Sequence, residues 1–155
     1  MKATKNPNFD YNVKNNIVYS CKFYIVWCTK YRRKVLTEEI QVRLREVLTE
    51  TANEYNTDVF EIKLDVDTVY MKVDVDPYLG IQPLVRILKG KTSRTLRDEF
   101  SNLKKQLPTL WTNSCFIATY GEESVANIDK YIANQMRSES YTSKQNWYDY
   151  LDGKI

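Results

Sequence analysis

VFEIKLDVDTVYMKVDV, residues 59–75, reads as two strands folded back on each other. Val59–Leu64 and Thr68–Val75 are rich in β-branched and aromatic residues that alternate or run apolar, and Asp65–Asp67 suits a tight connection. A connection this short forces antiparallel pairing, because a parallel crossover needs a dozen residues or more. Upstream, Ile17–Cys28 has the same strand character. Between these regions Thr37 fits an N-cap, Glu38 and Glu39 suit the first turn, and Ile40, Leu44, Val47, Leu48 and Ala52 recur at helical spacing, so the pattern predicts a helix over 38–55.

Downstream, Pro83 is tolerated in the first turn of a second helix, whose apolar stripe is Ile81, Leu84, Val85, Leu88 and Leu96. Gly90 marks a place where that helix could bend. Ser101–Gln106 continues helically to the stop at Pro108, Cys115–Tyr120 forms a last strand, and Ser124 caps a final helix that runs to about Arg137. The order β-α-β-β-α-β-α predicts an α+β fold of the ferredoxin-like, split βαβ type, with an antiparallel sheet and helices on one face. Residues 1–16 read as a polar arm, 17–137 as the folded domain, and 138–155 as a tail carrying Tyr141, Trp147, Tyr148 and Tyr150.

Composition narrows the chemistry. The 155 residues, 43% apolar and 28% charged, fit one soluble domain. The longest apolar run, Phe23–Cys28, is too short to span a membrane, and the polar N-terminus lacks a signal-peptide core, so a cytoplasmic location with no membrane partner is expected. Cys21, Cys28 and Cys115 form no CxxC, which argues against a disulfide framework or a zinc site. Histidine is absent, excluding His-based triads and zincin-type metal sites.

The net charge of +3 is small but segregated. Residues 81–105 carry seven basic side chains against two acidic ones, whereas 58–76 carry six acids against two lysines. Arg86, Lys89, Arg94 and Arg97 fall on the helix face opposite the apolar stripe, with Lys91 nearby, and Lys30, Arg32, Arg33 and Lys34 leave the first long strand together. Such clustering suits a polyanion, and Tyr31 and Trp111 offer flat faces for unpaired bases. Trp27, inside the apolar strand, reads as core. Tyr131 and Gln135, four apart on the last helix, share one face, where a phenol could attack a phosphate and an amide oxygen could hold a metal. Packing is the other reading of that tyrosine.

The blocks CKFYIVWCTKYRRKVL (21–36), DVDTVYMKVDVDP (65–77), LVRILKGKTSRTLRDEF (84–100), LPTLWTNSCFIATYG (107–121) and IDKYIANQ (128–135) occur in an order that resembles the single-tyrosine HUH transposases of the insertion-sequence 200/605 group. The resemblance covers 17–136. It implies a homodimer acting on single-stranded DNA with hairpin ends, a tyrosine nucleophile at Tyr131, and a metal ligand at Gln135. It also implies a His-hydrophobe-His pair on the central strand, and here Thr68 and Tyr70 stand at those positions around Val69.

A threonine hydroxyl and a phenol are poor donors for Mg²⁺ or Mn²⁺, so three functional readings follow. The first is a DNA-binding member with impaired strand transfer and no cofactor. The second is an active metal-dependent enzyme in which Asp67 substitutes as ligand. The third is an RNA-binding or protein-interaction module on the same scaffold.

Overall fold

A computed structural model describes residues 4–5, 11–120 and 128–133. Three short strands, β1 (Thr4–Lys5), β2 (Asn12–Lys14) and β3 (Ile17–Tyr19), form an antiparallel meander. The main sheet contains β4 (Lys22–Cys28), β5 (Asp58–Leu64), β6 (Thr68–Asp74) and β7 (Phe116–Thr119), in the order β5-β6-β4-β7 with every pairing antiparallel. The helices are α1 (Glu38–Glu54), α2 (Ile81–Glu99) and α3 (Ser101–Gln106), and residues 128–133 form a further helical segment, α4. This is the ferredoxin-like strand order expected from the alternation.

The β-strand period of two divides each strand's side chains between two faces. Ile25 and Trp27 of β4 and Val69, Met71 and Val73 of β6 enter the main core. There they meet Ile40, Leu44 and Leu48 of α1 and Leu84, Leu88 and Leu96 of α2. Thr37 caps α1 by accepting from the Ile40 amide at 3.4 Å. The second helix runs unbroken through Gly90. Trp27 is fully buried, as its position in the apolar strand implies.

The opposite sheet face begins a second, smaller core. Val26, Phe116, Ile128 and Tyr131 cluster there, flanked by Tyr24, Tyr70, Ala118 and Ile132. Segment α4 therefore covers part of the face that α1 and α2 leave open.

The segment read as a polar arm is polar but partly docked. Asn12 donates to Asp74 (3.1 Å) and Asp58 (3.3 Å), and the buried Lys14 ammonium pairs with Asp76. Asn15 and Asn16 both have positive φ, so the β2–β3 hairpin turns on two residues that tolerate the left-handed region. The Ser124 cap and the tail at 138–155 lie outside the described residues.

Candidate functional site

The end of β4 and the start of β6 are tied together by the backbone. Thr29 donates its amide to the Asp67 carbonyl (2.9 Å), and Lys30 donates to that of Leu110 (2.8 Å). A single 3-10 turn, Lys30–Arg32, then places Tyr31 and Arg32 in the left-handed region, at φ 58° and 49°. Two consecutive non-glycine residues in that region are strained. The turn sends the two side chains different ways. Tyr31 is 50% exposed with the Lys30 ammonium 5.1 Å from its ring centre, whereas Arg32 turns inward.

Arg32 joins three elements. Its Nε donates to Asp67 Oδ2 at 3.0 Å, and its Nη1 donates to the Ile132 carbonyl of α4 at 2.9 Å. The other Asp67 oxygen accepts from Thr68 Oγ1 at 2.8 Å, and the Cys28 thiol lies 3.7 Å from the same hydroxyl. Burial pushes that thiol up to about 11, partly opposed by the Thr68 contact. Tyr70 is likewise raised to about 12, first by burial and then by Glu61 and Tyr24, so its phenol is neutral at physiological pH.

A groove of about 420 Å³ lies beside these groups, lined by Arg32, Asp67, Thr68, Tyr70, Asp129 and Ile132 among others. The structure thus brings together the two positions where the resemblance places histidines, the proposed substitute carboxylate and the last helical segment. Tyr131 is not part of that lining. It is 2% exposed, its ring packs 5.6 Å from Phe116, and its hydroxyl is 2.5 Å from Ser114 Oγ. Gln135 lies outside the described residues.

The donors gathered here do not fit a divalent cation. Both Asp67 oxygens are engaged, one by a guanidinium whose charge already occupies the place of a cation. The neighbouring hydroxyl and phenol are neutral and weak ligands. Among the described residues, no group of three or more His, Cys, Asp or Glu side chains is arranged to hold a metal.

Burial sorts the cationic residues. Arg86, Lys91 and Arg94 of α2, with Arg33 and Lys34 after the 3-10 turn, are exposed, while Arg97 is half-buried. Gly90 sits between Arg86 and Arg94, and a Cβ there would come within 3.3 Å of Arg94 Nη1.

Three residues assigned to the interface need correction. The Lys89 ammonium donates to the carbonyls of Thr112 (2.6 Å) and Ser114 (3.0 Å), so it fastens the 112–114 loop instead of facing outward. Burial holds its pKa below the usual lysine value. Arg32 is committed to Asp67 and Ile132. Trp111 is 5% exposed, its indole N–H donates to Thr92 Oγ1 (3.0 Å), and its ring meets Trp27 edge-on at 5.8 Å, so no face remains for a base. The signal for this last correction was Thr92, a hydroxyl in line with Leu88 and Leu96 on the buried stripe.

Sequence comparison matches residues 17–135 to the family model described as transposase, IS200 like. The ISDra2 transposase TnpA of Deinococcus radiodurans is 32% identical over 124 residues, covering 79% of this chain and 89% of the relative. The transposase for insertion sequence element IS200 of Salmonella typhimurium is 26% identical over 123 residues, covering 78% and 80%. A crystal structure of a candidate transposase from Deinococcus radiodurans R1 superposes with a TM-score of 0.75 at 29% identity, covering 79% of this chain and 96% of that one. A REP-associated tyrosine transposase bound to a REP hairpin shares the fold, with a TM-score of 0.52 at 9% identity, covering 79% and 72%.

Proposed function

The chain belongs to the IS200-like transposase family, and from that premise we propose that it binds single-stranded DNA with hairpin ends as a cytoplasmic homodimer whose strand-transfer chemistry is impaired. One observation carries the reading: the Arg32–Asp67–Thr68 cluster stands beside the positions where the family resemblance expects metal-binding histidines. A metal there would polarise the scissile phosphate and orient it, a contribution commonly worth several kcal/mol. An arginine already neutralised by a buried aspartate does not replace it, because its charge is spent within the protein.

The nucleophile position supports the same conclusion. Tyr131 is at the family's tyrosine, but its hydroxyl is held against Ser114 in a closed apolar cluster. Attack would require that hydroxyl to leave Ser114, reach a phosphate and lose its proton. Histidine is absent, so no imidazole can take the proton.

DNA contact falls to the exposed cations. Arg86, Lys91 and Arg94 on α2, with Arg33 and Lys34, form a surface that meets phosphates without disturbing the core. Tyr31, held outward by its strained turn, supplies a base-stacking face. The homodimer follows from the family resemblance and from an outer strand that a second sheet could cover.

The decisive experiment incubates the full chain with hairpin-bearing single strands from the flanks of its own gene, with Mg²⁺ or Mn²⁺. Saturable, salt-dependent binding without a covalent protein–DNA adduct is the expected result. A metal-dependent adduct mapped to Tyr131 would overturn the impaired reading and favour Asp67 as a ligand released from Arg32.

A further inference from the structure

A groove of about 500 Å³ opens on the helix side of the sheet, between α2 and the chain that leads into β7. It shares no residue with the groove beside Thr68 and Tyr70. Gln82, Arg86, Lys89 and Ser93 line it from successive turns of α2, and Thr109 and Asn113 line it from the chain before β7. Each of these six can donate a hydrogen bond, and no carboxylate joins them. Val85 and Ile117, which pack on the main core, give the groove an apolar side.

The charge of Lys89 is not neutralised within the protein. Its ammonium donates to the carbonyls of Thr112 and Ser114, two neutral acceptors that use two of its three N–H donors. Among the described residues no carboxylate stands within ion-pair distance of it, and burial lowers its pKa as it does for a cation short of a counterion. Arg86 donates to Gln82 Oε1 at 2.8 Å, a surface hydrogen bond that a phosphate oxygen can replace. The neighbouring groove differs in kind. Lys91 and Arg94 line it together with Glu54, whose carboxylate would repel a phosphate there.

We propose that the acid-free groove binds one nucleotide unit, with its phosphate on Arg86 and Lys89 and its base against Val85 and Ile117. The volume falls inside the roughly 300–1,000 Å³ of small-molecule sites. Two cations with no carboxylate between them select an anion, and a guanidinium beside an ammonium suits phosphate oxygens. Phosphate alone would leave the apolar side bare and most of the volume empty. A flat heterocycle fills both needs, because its face meets Val85 and Ile117 while its polar edge meets Ser93, Thr109 and Asn113. The site does not depend on the DNA-binding reading: a free nucleotide and a single nucleotide of a bound strand present the same chemistry to it.

The test is calorimetry on the full chain, without DNA, using deoxyadenosine monophosphate, deoxyadenosine and inorganic phosphate as probes. The monophosphate should bind saturably at one per chain, and each of the other two at least about tenfold more weakly, the scale of one charge-assisted hydrogen bond lost. Arg86→Gln removes a charge and Thr109→Trp obstructs the groove; both side chains are exposed, so the fold should persist, and each should weaken the monophosphate about tenfold or more. Saturating hairpin DNA then identifies the source. An unchanged monophosphate affinity supports a free nucleotide, and displacement supports a nucleotide of the bound strand. Absence of saturable heat in the wild-type chain, or wild-type affinity in both folded variants, would overturn the site. Inorganic phosphate binding as tightly as the monophosphate would overturn it as a nucleotide site. Either failure leaves the DNA-binding reading standing, because hairpin binding is measured without the monophosphate.

Discussion

The Arg32 guanidinium and the Asp67 carboxylate, 35 residues apart in sequence, meet at 3.0 Å beside the groove where the family resemblance places a metal site. The side chain of Asp67 is almost wholly buried and that of Arg32 about a fifth exposed. Removing one partner leaves the other charge poorly compensated, and this is costlier than removing both. Arg32→Ala should therefore destabilise the fold by about 3 kcal/mol, at the low end for a buried pair because Arg32 retains some contact with water. Arg32→Met with Asp67→Leu should recover most of that loss. Urea unfolding of the single and double variants measures both; equal losses in the two would mean that the pair has no coupling.

Metal binding can be engineered from the same geometry. Thr68→His with Tyr70→His would place two imidazoles on one strand face, and Asp67, next to the first, could orient its ring as carboxylates commonly do beside metal-ligating histidines. The double variant should show a saturable Mn²⁺ isotherm in calorimetry, whereas the wild-type chain should show little heat. Cleavage of hairpin DNA by this variant would further require Tyr131 to leave Ser114. Metal binding without cleavage would locate the remaining defect at that tyrosine.

Much of this fold is legible in local pattern. The period-two alternation of 59–75 and the helical stripes of 38–55 and 81–99 need only near neighbours to be read, and the structure keeps those elements within a residue or two. Long-range pairings are not legible in that way. Arg32–Asp67 depends on a strained turn meeting the end of another strand, and Lys89 looks like one more cation on a helical wheel until the 112–114 carbonyls arrive. The Asn15–Asn16 pair is a turn signal inside a segment whose composition reads as a polar arm. Of the expected site, Thr68 and Tyr70, the positions to which the resemblance assigns metal ligands, assemble beside Asp67, whereas Trp111 fails because its indole donates to a hydroxyl in the core.

Stability should be nearly flat from pH 6 to 8, because the chain has no histidine to titrate there. Above that range Cys28 shapes the profile together with Cys21 and Cys115, two further thiols that burial raises. The Cys28 thiol is raised by burial from 9.0 to about 11, so the folded chain holds a proton that the unfolded chain releases. The stabilisation is complete below pH 9 and falls between pH 9 and 11 by about 1.4 kcal/mol per pH unit for the one proton. Cys28→Val should flatten the urea-derived slope in that window by this amount. An unchanged slope would mean that the thiol ionises freely in the folded state.

Gly90 offers a separation of stability from binding. It lies inside a continuous helix, where glycine costs up to about 1 kcal/mol relative to alanine. The added Cβ would crowd Arg94 Nη1, at 3.3 Å, but that atom is the end of a flexible side chain and can move. Gly90→Ala should thus raise stability by roughly 0.5–1 kcal/mol while displacing Arg94 and weakening DNA binding modestly. A destabilised Gly90→Ala variant would show that the helix needs the bare backbone at this turn.

Arg86, Lys91 and Arg94 of α2 face solvent, whereas Lys89 is committed to the 112–114 carbonyls, and DNA titrations should separate Arg94 from Lys89 the same way. Arg94→Ala should leave the melting temperature nearly unchanged, because the side chain is exposed, and should flatten the slope of log K against log salt by about 0.7. Lys89→Met should do the reverse. It removes two hydrogen bonds from a charged donor to the Thr112 and Ser114 carbonyls, at a cost of roughly 2–4 kcal/mol, and leaves the salt slope unaltered. Ser114 is also the partner of the Tyr131 hydroxyl, so loosening the 112–114 loop should free that phenol. Faster modification of Tyr131 by tetranitromethane in Lys89→Met than in the wild-type chain would establish that the half-buried lysine holds the tyrosine in its closed position, and an unchanged rate would sever that link.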